Sequence, residues 1–243
     1  MRIIFIALIL ISCNGKSDNA PKMNDYFKGL KTKIVKDTIV LDSPGVYDFK
    51  KVVHIWRGVG KCIQKENQPS ILRIEGDNIT VKNFYFKGDS GDPIHISTCG
   101  KNQGEECTRR GPKNVTLDNI IGHACEDLIT IGTPGASNIT IKNSKLFGNP
   151  KESERDKILQ VNFGKDLKLI NNIFVNSPRC IRLKPSTSAL IKGNKFYNCK
   201  NPIRASSNDY GQKPMMKNGP VKIVSDDCDK VTKIGNDVSC KGD

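Results

Sequence analysis

A short phrase recurs along the middle of the 243-residue chain and constrains its fold more than any other feature. The clear copies alternate apolar and polar residues, which is the pattern of a half-buried strand. Each clear copy begins and ends with Asn, a residue favoured at turns. The clear copies lie at 78–83, 114–119 and 138–143, and looser copies lie at 166–171 and 188–194.

A second phrase lies between these copies, at 92–96, 127–131, 157–161, 179–183 and 201–205. Its first residues are separated by 35, 30, 22 and 22 positions. A repeat of this length, holding two or three short strands, predicts an all-β parallel β-helix, a solenoid of stacked coils. An antiparallel sandwich or barrel is the alternative, but it lacks a repeated side-chain column. The residues expected to stack inside are Ile94, Ile129, Leu159, Ile181 and Ile203.

The first residue of the second phrase is polar in every copy. From coil to coil the residues are Asp92, Asp127, Lys157, Arg179 and Asn201, and Glu126 precedes Asp127. Stacked coils lie about 4.8 Å apart, so this column changes from acidic to basic across one face. The fourth residues should point away from the apolar column, because strand side chains alternate. These fourth residues are His95, Thr130, Gln160, Arg182 and Arg204.

The two ends of the polar column suit different ligands. Three carboxylates without a thiol suit a hard cation bound by oxygen, most naturally Ca²⁺. The basic end suits a polymer of carboxylates, which Arg can hold in a bidentate fork. The column therefore predicts a cleft for a uronate sugar, and the alternative is a ladder of surface ion pairs.

The formal net charge of +14 predicts a polyanionic partner. Aromatic residues make up only 6 % of the chain, which is little for stacking nucleic-acid bases. We therefore expect an acidic polysaccharide as the partner and no nucleic acid. We also expect the protein to be a monomer.

The chain begins with features of an export signal. One cation is followed by an apolar run that is too short to span a membrane, and no later stretch is long enough. We predict a signal peptide at 1–15, a polar lead-in at 16–36 and the β-helix domain at 37–243, with secretion and no membrane in the mature form. Lipid attachment at Cys13 is the alternative.

Eight Cys remain after the predicted signal peptide, an even number that suggests four disulfides in an exported chain. The short Cys99–Cys107 and Cys228–Cys240 loops are the simplest pairings, and buried free thiols are the alternative.

Several of these segments resemble, in order, the motifs of the pectate lyases of polysaccharide lyase family 3. The resemblance runs from about residue 40 to 206. Its parts are Glu66-Asn-Gln-Pro, Ile71-Leu-Arg-Ile-Glu75, Asn83, Asp92-Pro-Ile-His95, Cys125-Glu-Asp-Leu-Ile-Thr130, Asp156-Lys-Ile-Leu-Gln160 and Cys180-Ile-Arg182.

The resemblance implies a small, secreted, right-handed parallel β-helix that cleaves (1,4)-α-D-galacturonan by calcium-dependent β-elimination. Arg179 stands where the family usually has Lys, and Pro93 stands where it has Gly. The implied roles are calcium ligation by Asp92, Glu126 and Asp127, the catalytic base for Lys157 and substrate binding for Arg182, and Glu66 falls at an acidic position near the cleft. We also assign Arg182 to catalysis, since it would stabilise the charge that develops on the substrate carboxylate. We assign Arg179 and Glu66 to substrate binding. Arg204 extends the basic column and is our further candidate for substrate binding.

A lysine base acts in its neutral form, and free lysine has a pKa of about 10.4. We therefore expect an alkaline pH optimum, with Arg182 as the alternative base. Two other functions stay open from the residues alone. One is a pectin hydrolase, which needs paired carboxylates at the scissile bond, and the other is a non-catalytic protein that binds acidic polysaccharide.

Overall fold

A computed structural model describes residues 20–56, 70–88, 92–98, 110–124, 127–149, 157–207 and 219–242. In these ranges no helix is long and apolar enough to cross a membrane. A short helix, α1 (Met23–Phe27), precedes the strands, and a 3-10 turn covers Cys228–Lys230. In chain order the strands are β1 (Thr32–Val35), β2 (Ile39–Leu41), β3 (Gly45–Asp48), β4 (Val53–Trp56), β5 (Leu72–Ile74), β6 (Ile79–Lys82), β7 (Tyr85–Lys87), β8 (Ile94–Ile96), β9 (Lys113–Asp118), β10 (Ile121–His123), β11 (Ile129–Ile131), β12 (Ser137–Lys142), β13 (Lys145–Phe147), β14 (Lys157–Val161), β15 (Leu167–Ile170), β16 (Ile173–Leu183), β17 (Ser188–Lys192), β18 (Lys195–Ser206), β19 (Val221–Ser225), β20 (Val231–Ile234) and β21 (Val238–Lys241).

The strands form three faces around one axis. Face 1 holds β2, β5, β8, β11, β14, the C-terminal parts of β16 and β18, and β20. Face 2 holds β3, β6, β9, β12, β15, β17, β19 and β21. Face 3 holds β1, β4, β7, β10, β13 and the N-terminal parts of β16 and β18. Each coil passes from face 3 to face 1 to face 2, and paired strands in the described ranges are parallel. The fold is a right-handed parallel β-helix, as predicted, and the antiparallel alternative is wrong.

The predicted apolar column forms the inner side of face 1. Ile129 pairs with Ile94 in one neighbouring coil and with Leu159 in the other. The column continues from Leu159 through Ile181 to Ile203. All five side chains are fully buried, and burying each contributes about 1.5–3 kcal/mol. The register is the predicted one, although the coils differ in length.

Asparagine ladders hold the corners between faces. Asn78, Asn114 and Asn138 adopt left-handed backbone conformations, with φ of 57°, 57° and 51°. Asn tolerates this region better than most residues. The Asn114 amide donates to Asn78 Oδ1, and the Asn138 amide donates to Asn114 Oδ1, each at 2.8 Å. A further bond between Asn side chains, from Asn198 Nδ2 to Asn176 Oδ1 at 2.8 Å, lies at the corner that leads into face 1. The recurring Asn side chains therefore link neighbouring coils at these corners.

The N-terminal segment covers part of the outer side of face 3. The predicted lead-in, where it is described, contains α1 and β1, and β1 pairs with β4. The rings of Tyr26 and Phe147 have centroids 5.9 Å apart, and Lys145 Nζ lies 5.1 Å from the Tyr26 ring centroid. The residues of face 3 that this segment covers are Val53, Tyr85, Ile121, Phe147 and Val175.

Two disulfides staple the C-terminal coils, Cys180–Cys199 and Cys228–Cys240. The second confirms a predicted pairing, whereas Cys99 and Cys107 lie outside the described residues. The closed loops span 19 and 12 residues, and cross-links of this size stabilise a fold by about 3 kcal/mol in the chain-entropy account.

Candidate active site

The predicted polar column lies along face 1. Lys157 pairs with Arg179, and Arg179 pairs with Asn201. Asp127 stands two residues before Ile129, which pairs with Leu159, so Asp127 lies opposite Lys157. Asp92 precedes β8 by the same two residues. We call the column from Asp92 to Asn201 the charged column.

The fourth residues of the same phrases form a neighbouring column in the predicted register. Thr130 pairs with His95 and Gln160, and Arg182 pairs with Gln160 and Arg204. His95 and Thr130 are buried, while Gln160 and both arginines are half-buried. Thr130 Oγ1 has no hydrogen-bond partner in the described part of the chain. We call these residues the floor column.

Asp127 and Lys157 form a largely buried charged contact on face 1. The Lys157 backbone N–H donates to Asp127 Oδ1 at 3.0 Å, and Lys157 Nζ lies 3.5 Å from the same oxygen. Each side chain is only 11 % exposed. Parallel pairing of β11 and β14 places the two residues side by side, so the local backbone and the ion pair support one another.

Burial dominates the electrostatics of Asp127. Removal of the carboxylate from water raises the pKa of Asp127, and the positive charges of Lys157 and Arg182 oppose that rise without cancelling it. A further positive charge nearby would therefore favour the ionised form of Asp127. A bound cation would supply that charge.

Arginines follow on the basic side of this pair. Arg179 lies next to Lys157 in the charged column, and Arg182 lies next to Arg204 in the floor column. Like charges placed opposite one another on paired strands repel. Binding of an anion that contacts several coils at once would relieve this repulsion. A bidentate contact between Arg and a carboxylate is the strongest form of such binding.

The residues present fit Ca²⁺ in kind. Carboxylate oxygens are its preferred ligands, and Asp127 carries a buried carboxylate on the same face as Asp92. Glu126 and Glu66 lie outside the described residues. Among the residues that are described, no cluster of three or more His, Cys, Asp or Glu side chains forms a metal site. The predicted ligand set therefore depends on Glu126 as well as on Asp92 and Asp127.

Arg73 is a basic residue of face 1 that was not among the predicted site residues. Arg73 on β5 pairs with His95 and therefore extends the floor column on the side away from Arg182. The apolar–basic–apolar pattern of Leu72, Arg73 and Ile74 matches that of Ile181, Arg182 and Leu183 in type. That alternation was the signal in the sequence that could have identified Arg73.

Comparison of the chain with models of known protein families finds no match, and comparison with curated proteins finds no significant match.

Proposed function

We propose that this protein is a secreted, calcium-dependent pectate lyase that cleaves (1,4)-α-D-galacturonan by β-elimination. The observation that carries the proposal is the placement of Lys157 between Asp127 on one side and Arg179 with Arg182 on the other. The family resemblance of the sequence motifs supports the step from uronate binding to elimination.

Substrate binding follows from the charge pattern of face 1. A polyuronate lying along the solenoid axis would meet a cationic side chain in each of three successive coils, at Lys157, Arg182 and Arg204. Since Arg182 and Arg204 are paired neighbours, each can hold the carboxylate of a different sugar. The net charge of +14 also favours the approach of a polyanion.

Proton removal is assigned to Lys157. The reaction takes the proton from C5 of a galacturonate, forms a double bond between C4 and C5, and breaks the C4–O4 bond to release the shortened chain. Lys157 Nζ accepts the C5 proton when the amine is neutral, and a proton from water converts the departing O4 to a hydroxyl. The hydroxide left by that water then takes the proton from the Lys157 ammonium, which restores the neutral amine. Arg182 holds the carboxylate on C5, so that the negative charge developing there is stabilised.

Calcium is assigned to the acidic end of the charged column. Asp92, Glu126 and Asp127 would hold the ion, which when bound adds positive charge beside the uronate carboxylate and favours loss of the neighbouring proton. The buried carboxylate of Asp127, whose pKa is raised by desolvation, is the structural reason to expect a cation there.

The last part of the proposal is that the protein is exported from the cell. The segment that resembles a signal peptide lies outside the described residues, and the two disulfides are of the kind that persists in oxidising compartments. We propose secretion, with lipid attachment at Cys13 as the alternative that mass spectrometry of the mature N-terminus separates.

The decisive experiment incubates the purified protein with polygalacturonate, with Ca²⁺ or with a chelator, and follows the ultraviolet absorbance of the unsaturated product. We expect absorbance to rise with Ca²⁺ and to stay flat with chelator. New reducing ends without this absorbance would instead identify a hydrolase. Binding of polygalacturonate without any product would identify a non-catalytic binding protein.

A further inference from the structure

Arg73 occupies a symmetric position in the floor column. Register runs from Arg73 to His95, Thr130, Gln160 and Arg182, one coil at each step. Thr130 belongs to the same coil as Asp127. We call the coil that carries Asp127 the acidic coil, and it has an arginine two coils away on either side, Arg73 and Arg182. Four coil spacings separate the two arginines, which places them about 19 Å apart along the axis.

The side chain of Arg73 is held at one end. Its Nε lies 2.5 Å from Glu75 Oε1, and the side chains of Arg73 and Glu75 are 32 % and 18 % exposed. The contact is an ion pair with poor hydrogen-bond direction, since Nε is buried and lacks a hydrogen-bond partner. Glu75 thereby anchors the guanidinium, and within the described ranges the terminal Nη groups contact no acceptor.

An anchored guanidinium with available terminal nitrogens is suited to a bidentate contact with a carboxylate. Its position on face 1 places this contact on the same polymer track as Arg182 and Arg204. An arginine whose side chain is already held by an ion pair also loses less side-chain entropy on binding than an unpaired one.

We propose that Arg73 forms a second carboxylate-binding subsite for the polyuronate chain, on the opposite side of the acidic coil from Arg182. This inference rests on the proposed function and deepens it. A substrate chain that reaches both arginines crosses the acidic coil and Lys157, so the cleaved bond lies inside the bound segment. Chains too short to reach both arginines lose one contact.

The test compares Arg73→Ala and Arg73→Lys with Lys168→Ala, which removes one exposed positive charge from face 2. On long polygalacturonate, Arg73→Ala should raise KM on the order of tenfold, as loss of a charge-assisted hydrogen bond implies, while kcat changes far less. Arg73→Lys should have an intermediate effect, because a lysine keeps the charge but not the fork. Lys168→Ala should match the wild type.

Chain length supplies the second measurement. With size-fractionated oligogalacturonates, from the dimer upward, the wild type should bind long oligomers more tightly than short ones, and Arg73→Ala should reduce that difference. Melting temperatures of all variants identify any that fail to fold. Arg73→Lys then serves as the folded test if the alanine variant does not.

Two outcomes separate this inference from the proposed function. If the wild type forms no unsaturated product, the lyase proposal fails, and affinity electrophoresis in polygalacturonate still tests whether Arg73→Ala weakens binding more than Lys168→Ala. If product forms but Arg73→Ala keeps the wild-type KM and length dependence, the subsite is rejected and Arg73 is only the partner of Glu75.

Discussion

Faces 1 and 2 each carry an Asp–Lys pair of nearly the same geometry. Lys157 Nζ lies 3.5 Å from Asp127 on face 1, and Lys142 Nζ lies 3.4 Å from Asp118 on face 2. Both pairs join residues of neighbouring coils. The face 2 side chains are 39 % and 23 % exposed for Lys142 and Asp118, against 11 % for each member of the face 1 pair.

The difference shows that distance alone does not separate a structural ion pair from a chemical site. On face 2, water screens the charges and the pair has the character of a surface ladder, which contributes little to stability. On face 1, the Asp127–Lys157 contact is largely removed from water, so each charge acts strongly on its neighbours. Burial is therefore what makes Lys157 and Asp127 the better candidates for chemistry.

Activity should show the largest contrast between the two pairs. We expect Lys157→Ala to lower the rate of unsaturated-product formation by about 10²–10⁴-fold, the usual effect of removing a general base. Lys142→Ala, which removes the same group from face 2, should leave that rate near wild type. The rates are measured by ultraviolet absorbance on polygalacturonate at alkaline pH, and near-wild-type turnover in Lys157→Ala would move the base assignment to Arg182.

Calcium stabilisation should show the next contrast. Ca²⁺ at a hundred times its Kd should stabilise the wild type by about 2.7 kcal/mol, because ligand binding to the folded state shifts the unfolding equilibrium. Asp127→Asn should lose most of this gain, and Asp118→Asn should keep it. Thermal unfolding with Ca²⁺ and with chelator measures the effect, and equal gains in all three proteins would exclude Asp127 as a ligand.

The pH dependence of stability should show the smallest contrast. Burial raises the pKa of Asp127 in the folded chain, so the folded state holds the proton more tightly than the unfolded state. The stability from this group is present below the ordinary carboxyl pKa of about 3.9 and is lost as pH rises through the folded value.

The measurement is urea unfolding in the presence of a chelator, at pH values from about 3.9 upward through the raised pKa of Asp127. The unfolding free energy of wild type minus that of Asp127→Asn should fall as pH rises, by at most about 1.4 kcal/mol per pH unit. Asp118→Asn is the matched control from face 2. If the unfolding free energy of wild type minus that of Asp118→Asn fell equally with pH, burial of Asp127 would not be the cause.

Much of face 1 could be predicted because its information is local. Alternation placed Ile129 inward and Thr130 outward, and recurrence of the phrase aligned Lys157 with Arg179. Connections between strands vary in length, yet the strand register of face 1 is kept from coil to coil. The turn residues Asn114 and Asn138 were recognisable for the same reason, since each corner requires a left-handed backbone that Asn tolerates.

Other features depend on contacts between distant parts of the chain. The Cys180–Cys199 disulfide was not predicted, because sequence spacing does not choose among possible partners. Arg73 was not predicted because it lies in the coil before the first copy of the recurring second phrase, which begins at residue 92. The packing of Tyr26 on Phe147 joins the predicted polar lead-in to the outer side of face 3. No periodic pattern in the sequence predicts this contact.

The amino-acid order alone was enough to establish the stacked coils and the line of residues from Asp92 through Lys157 to Arg179, because a repeat with period-two alternation allows one consistent register. The tertiary structure added the degree of burial. Lys157 and Lys142 look alike in sequence, each a lysine in a strand with an aspartate in the preceding coil. Only the packing around face 1 removes Lys157 and Asp127 from water, and exclusion of water is what allows a short ion pair to become a reactive site.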